Sequence, residues 1–110
     1  MSKDKAYIQD ILEMIAEIES FTAGLEYEDF LENRAVYRAV ERDFEIIGEA
    51  AKKLSLEFTK NYPEISWQDI AGFRNVLIHE YAAVNAATVW DTLKQDMPKL
   101  KAVLRNYYEA

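Results

Sequence analysis

A chain of 110 residues, half of them hydrophobic and 30% charged, is close to the commonest size for one domain and can bury a real core. It has no cysteine, which excludes disulfides, thiolate metal sites and cysteine nucleophiles and suits a reducing compartment. The formal charge of −7 excludes broad, sequence-independent attraction to nucleic-acid phosphates, so any such role must be local. No apolar run approaches the ~20 residues that span a bilayer, and the first five residues lead into an amphipathic stretch rather than a signal-peptide core. These features predict a cytoplasmic, soluble chain that forms one domain over residues 1–110, without membrane contact.

Apolar positions repeat at helical spacing from the start. Tyr7, Ile8, Ile11, Leu12, Met14, Ile15, Ile18 and Phe21 fall opposite Asp10, Glu13, Glu17 and Ser20, predicting an amphipathic helix from Asp4 to about Thr22. Gly24, one of only three glycines, suits its stop. Residues 27–31 predict a short helical turn that brings Phe30 and Leu31 onto the core. A second long helix is expected from Asn33, as cap, to about Phe58, with a stripe of Val36, Val40, Phe44, Ile47, Ala51 and Leu54 and with Asp43 at the stripe's edge. Gly48 interrupts this helix where Ala would contribute roughly 1 kcal/mol more, and close approach of another helix explains it. Arg34, Arg38 and Arg42 form a row at four-residue spacing. A phosphate track is one reading, but Glu41, Glu45 and Glu49 run beside the row, and a solvated, self-paired face is the reading favoured.

Ser66 and Asp69 resemble a capping signal after Pro63, with Trp67 and Ile70 opening a short helix. Gly72 either turns that helix into the next segment or admits a packed neighbour. Asn85 is read as the cap of a last helix with the stripe Val89, Leu93, Met97, Leu100, Leu104 and Tyr107. The stripe keeps its phase through Pro98, so one helix kinked between Lys94 and Pro98 is expected rather than two. With no strand pattern or repeat competing, the fold class is all-α, an up-and-down helical bundle of four to five helices.

Chemistry concentrates in residues 73–81, where Arg74, Asn75, Tyr81 and the only histidine, His79, stand in an otherwise apolar run. The pattern predicts a helix packed on nearly all sides, with Asn75 and His79 one turn apart. A lone His without cysteine or an HExxH pattern gives no transition-metal site, and no glycine-rich loop cradles a nucleotide. Paired-carboxylate catalysis has no support beyond abundance. Two readings of the group remain: a polar cluster that cross-links helices, with Asn75 bonded to His79 and Arg74 paired to a carboxylate, or a site for chemistry.

The run from Arg74 to Tyr81 resembles the Arg-x-x-x-x-His-x-Tyr motif of HepT-type toxins in the HEPN superfamily. Ile46-Ile47-Gly48-Glu49-Ala50-Ala51 is similar to that family's Ile-Gly-Glu-Ala stretch, the run from Tyr62 through Trp67 to Gly72 to its Pro-x-x-x-Trp approach, and Trp90 with Met97-Pro98 to its closing helix. The matches occur in order and cover essentially the whole chain. Met97 stands where Leu is expected, a swap of similar volume.

The resemblance implies a HEPN-like fold and a metal-independent endoribonuclease, needing no cofactor, that acts as a homodimer with Arg74 and His79 of both copies facing one cleft. Cleavage through the RNA 2′-hydroxyl needs a base, an acid and cationic stabilisation, and two copies of His79 supply the first two. Arg74 suits the third role and Asn75 a supporting one. A two-fold interface is expected near the second long helix and the motif helix. The resemblance also implies a partner, an MntA-like nucleotidyltransferase antitoxin that transfers AMP onto Tyr81. The alternative is a catalytically silent helical subunit that partners a nucleotidyltransferase-fold protein.

Overall fold

The structure, a computed structural model, describes the backbone of residues 2–79 and 82–109 and the side chains of residues 3–77 and 86–108. Among these, every regular element is helical. Helix α1, Ser2–Thr22, buries Ile8, Ile11, Ile15 and Ile18 completely while Asp10, Glu13, Glu17 and Ser20 stay in solvent, as its periodicity predicts. Phe21, counted in the same stripe, is 38% exposed. Gly24 ends the helix with φ +76°, a backbone that L side chains rarely adopt.

Helix α2, Tyr27–Glu32, opens on a reciprocal cap in which Asp29 accepts from the Glu26 amide at 2.9 Å. Phe30 enters the core against Tyr37 and Trp90, with centroids 5.7 and 5.1 Å away. Leu31 does not follow it and is 49% exposed. Adjacent helical positions point about 100° apart, so so short a helix offers only one of them to the core.

Helix α3, Arg34–Lys52, starts where expected, with the Asn33 side chain accepting from the Val36 amide at 3.1 Å. It ends earlier than its stripe suggests. Ser55 caps a separate short helix, α4, Leu56–Lys60, by accepting from the Phe58 amide at 3.1 Å. Asp4 of α1, itself buried, holds that cap by accepting from the Ser55 amide at 2.8 Å and from its hydroxyl at 2.5 Å. Leu54 and Phe58 stay buried across the break, which is why apolar spacing alone reads it as one helix.

Phe58 then gathers Tyr62, Trp67 and Tyr107 around it at centroid distances of 5.1, 5.6 and 4.8 Å. The Trp67 indole donates to the Tyr62 carbonyl at 3.0 Å, which fixes the entry to helix α5, Trp67–His79. At that entry the Ser66 hydroxyl donates to the Asp69 carboxylate at 2.7 Å, and the Ser66 carbonyl receives the Asp69 and Ile70 amides. Helix α5 runs through Gly72 without turning.

Helix α6, Ala82–Asp91, has Asn85 in its interior, so Asn85 is not a cap. It passes through a π-helical segment, Thr92–Asp96, into α7, Met97–Glu109. The segment lies where a proline kink is expected. There the Met97 amide reaches back five residues to the Thr92 carbonyl, and Pro98, which has no N–H, follows within the rod. Counting α6 to α7 as one, four long rods and two short helices make up the bundle among the described residues. The central rod α3 packs against α1 and α5, and α7 closes on α1, where Lys101 pairs with Glu19 at 2.8 Å. No helix among the described residues is long and apolar enough to cross a membrane.

Candidate active site on helix α5

Helix α5 is seated on α3 by three contacts in succession. Phe44 meets Phe73 edge to face, with centroids 5.5 Å apart and rings at 81°. One turn further along α3, Gly48 lets the backbones approach: a methyl group there would lie 3.1 Å from the Ile70 carbonyl oxygen and 3.5 Å from that of Ala71. Close helix approach is thus the reason for Gly48. The residue after it, Glu49, lies beside Arg74, and their charged ends pair at 3.4 Å from Oε1 to Nε.

Arg74 is therefore the predicted site residue whose setting is clearest. It stands at the edge of the α3–α5 contact with its side chain 46% exposed, oriented by Glu49 and open to a second anion. Asn75 is exposed on the adjoining side of the helix. His79 is the last residue of α5, and helical spacing puts position 79 on one face with Gly72, Asn75 and Val76. The side chain of His79 and the whole of Tyr81 lie outside the described residues, so the structure neither joins them to Arg74 nor separates them from it.

The surroundings of α5 differ from the expectation of packing on nearly all sides. Leu77 is buried and Phe73 partly so, but Val76 is 36% exposed and open space surrounds Gly72. Among the described residues, α5 has a packed face and an open one. Gly72 neither turns the helix nor, among the described residues, has a neighbour packed against it. Glu49 is the residue that sequence reasoning did not single out. Its partner lies on another helix, and no spacing rule connects position 49 to position 74.

Two further features bound the site. A cavity of about 240 Å³ lies beside α5, floored by Phe44, Ile47, Phe73 and Leu100. Its rim carries Glu64, Asp69 and Asp96 against one Lys99, a balance that repels phosphate. The arginine row is the second. Arg42 pairs with Glu45 at 3.3 Å, Tyr37 donates to Glu41 at 3.2 Å, and Glu49 serves Arg74. Among the described residues Arg34 and Arg38 have no carboxylate in ion-pair range and both are exposed, so the self-paired face expected for the row holds only for Arg42.

Residues 11–107 match the family described as "Ribonuclease HepT-like". The chain is similar to "Putative RNase MJ1216" of Methanocaldococcus jannaschii, with 44% identity over 97 residues, covering 88% of this chain and 80% of that protein. It is equally similar to "Probable ribonuclease HepT" of Thermococcus cleftensis, at 44% identity over 97 residues and 88% of each chain. No solved structure matches it.

Proposed function

This chain belongs to the HepT-like ribonuclease family, and from that premise we propose that it is an endoribonuclease, the toxin of a toxin–antitoxin pair, which cuts RNA without a metal ion at a cleft between two copies of the chain. The observation that carries the reading is Arg74: a half-exposed guanidinium, oriented by Glu49 from a neighbouring helix, on the helix that ends at the chain's only histidine.

The chemistry assigns one role to each group. His79 of one copy takes the proton of the RNA 2′-hydroxyl, whose oxygen attacks the adjacent phosphorus. His79 of the second copy protonates the departing 5′-oxygen, leaving a cyclic phosphate on one fragment and a hydroxyl on the other. Arg74 stabilises the charge that accumulates on the phosphoryl oxygens in between, and Asn75 orients the imidazole or the phosphate. One chain supplies a single histidine, so an imidazole acid and an imidazole base together require two copies. The open face of α5, with Val76 exposed and space over Gly72, supports an interface there.

The same reading places control on Tyr81. An MntA-like nucleotidyltransferase would attach AMP to its hydroxyl, setting a negatively charged phosphodiester two residues beyond His79. Tyr81→Phe should keep ribonuclease activity and escape neutralisation by such a partner with ATP. Mass spectrometry that finds AMP on another tyrosine overturns this part alone.

The test of the main reading is RNA cleavage by the purified chain in EDTA. Cleavage should persist, and Arg74→Ala and His79→Ala should each abolish it while helical content and self-association remain. Cleavage lost in EDTA and restored by Mg²⁺, or undiminished in either variant, overturns the mechanism.

A further inference from the structure

We infer that Arg34 and Arg38, at the exposed outer edge of α3, form a phosphate-binding track that carries the RNA strand to Arg74; the inference rests on the ribonuclease reading and extends it to how the substrate is held. The geometry begins with helical spacing. Arg34, Arg38 and Arg42 follow one another at four-residue intervals, each on the order of 6 Å further along one ridge of α3. Glu49 lies two turns beyond Arg42 on the same ridge, and Glu49 is where Arg74 is tied at 3.4 Å. The ridge thus ends at Arg74, and the line from position 34 to position 49 is on the order of 22 Å long, enough to follow several nucleotides.

Charge then separates the members of the line. The three carboxylates beside it already have partners: Glu41 accepts from Tyr37, Glu45 pairs with Arg42 and Glu49 pairs with Arg74. Arg34 and Arg38 are exposed and, among the described residues, have no carboxylate in range. A guanidinium binds phosphate through paired donors, and two unpaired ones at the end of the line opposite Arg74 give a local positive edge on a chain of net charge −7. Such an edge positions a backbone and reads no base, so it suits RNA of any sequence. Its ligand is single-stranded RNA, because only a strand free to bend can follow a ridge and then enter a cleft at its end.

The experiment measures binding and cleavage of a fluorescein-labelled single-stranded oligoribonucleotide by the full chain across a salt series. Three proteins are compared: wild type, Arg34→Ala with Arg38→Ala, and Lys3→Ala with Lys99→Ala, which removes the same charge elsewhere. For the arginine pair, the slope of log affinity against log salt should fall by about 1.4, at ~0.7 per lost phosphate contact on a single strand. Its KM should rise several-fold with kcat retained, equally for oligouridine and oligoadenine substrates, while the lysine pair matches wild type. Equal slopes in wild type and the arginine pair, or an equal drop in the lysine pair, overturn the track and leave the ribonuclease reading intact. Wild-type chain that neither binds nor cuts the oligonucleotide overturns both.

Discussion

Glu49 holds Arg74 from the neighbouring helix, with Oε1 3.4 Å from Nε and about half of each side chain in solvent. So exposed a pair contributes less than ~1 kcal/mol to stability, and its effect lies in aiming the guanidinium. Glu49→Gln should therefore leave the urea midpoint almost unchanged and lower kcat by less than about tenfold, far short of the loss expected for Arg74→Ala. A variant destabilised by several kcal/mol would show that Glu49 is a structural strut and not an aiming group.

Asp43 makes stability depend on pH. Its carboxyl is pushed up from 3.8 to about 7, first by burial and then by the hydrogen bond and charge of Glu17, with Arg42 acting the other way. The second carboxyl oxygen, Oδ2, is buried without a partner. The unfolded chain releases this proton near pH 4 and the folded one near pH 7, so between those values the folded state binds more protons and stability falls as pH rises, then levels off. Asp43→Asn keeps a neutral group of the same shape. It should be more stable than wild type at pH 8, by on the order of a few kcal/mol with a thermal midpoint raised by roughly 10 °C or more, and indistinguishable from it near pH 4. Thermal melts at the two pH values check the sign, and a constant difference between them contradicts it.

Gly48→Ala sets two effects against each other. Alanine contributes roughly 1 kcal/mol to an isolated helix, but its methyl group would sit 3.1 Å from the Ile70 carbonyl oxygen, which belongs to helix backbone and cannot swing aside. The clash should win and destabilise the chain by about 1–3 kcal/mol in urea unfolding. Since the same contact seats α5, cleavage should fall even at temperatures where the variant is fully folded.

How far the structure is legible in the sequence depends on whether the signal is local. The four long rods follow from apolar spacing, and the cap at Asn33, the stop at Gly24 and the distortion before Pro98 from residues with strong backbone preferences. The break after Lys52 is hidden because Leu54 and Phe58 keep the apolar phase, and what ends the helix is Ser55 bound to Asp4, 51 residues away. Gly48 is legible as a close approach, though not what approaches. Arg74 is legible as a residue in need of a carboxylate, while Glu49 is one of twenty acidic residues and only the seating of α5 on α3 selects it. Packing of the motif helix on nearly all sides is the reading that fails for residues 73–77, since Arg74, Asn75 and Val76 are exposed and composition counts apolar residues without telling which ones a neighbouring helix covers.

The clasp between Asp4 and Ser55 also sets an order of events during synthesis. Asp4 is made 51 residues before Ser55, so both of its hydrogen bonds wait until Ser55 has left the ribosome. Until then Ile8, Ile11, Ile15 and Ile18 have nothing but the growing α3 to cover them, and α7, which closes the other side of α1, follows later still. The nascent chain therefore carries a bare isoleucine ridge while these partners are made, the kind of surface that chaperones hold and that aggregates when they are scarce.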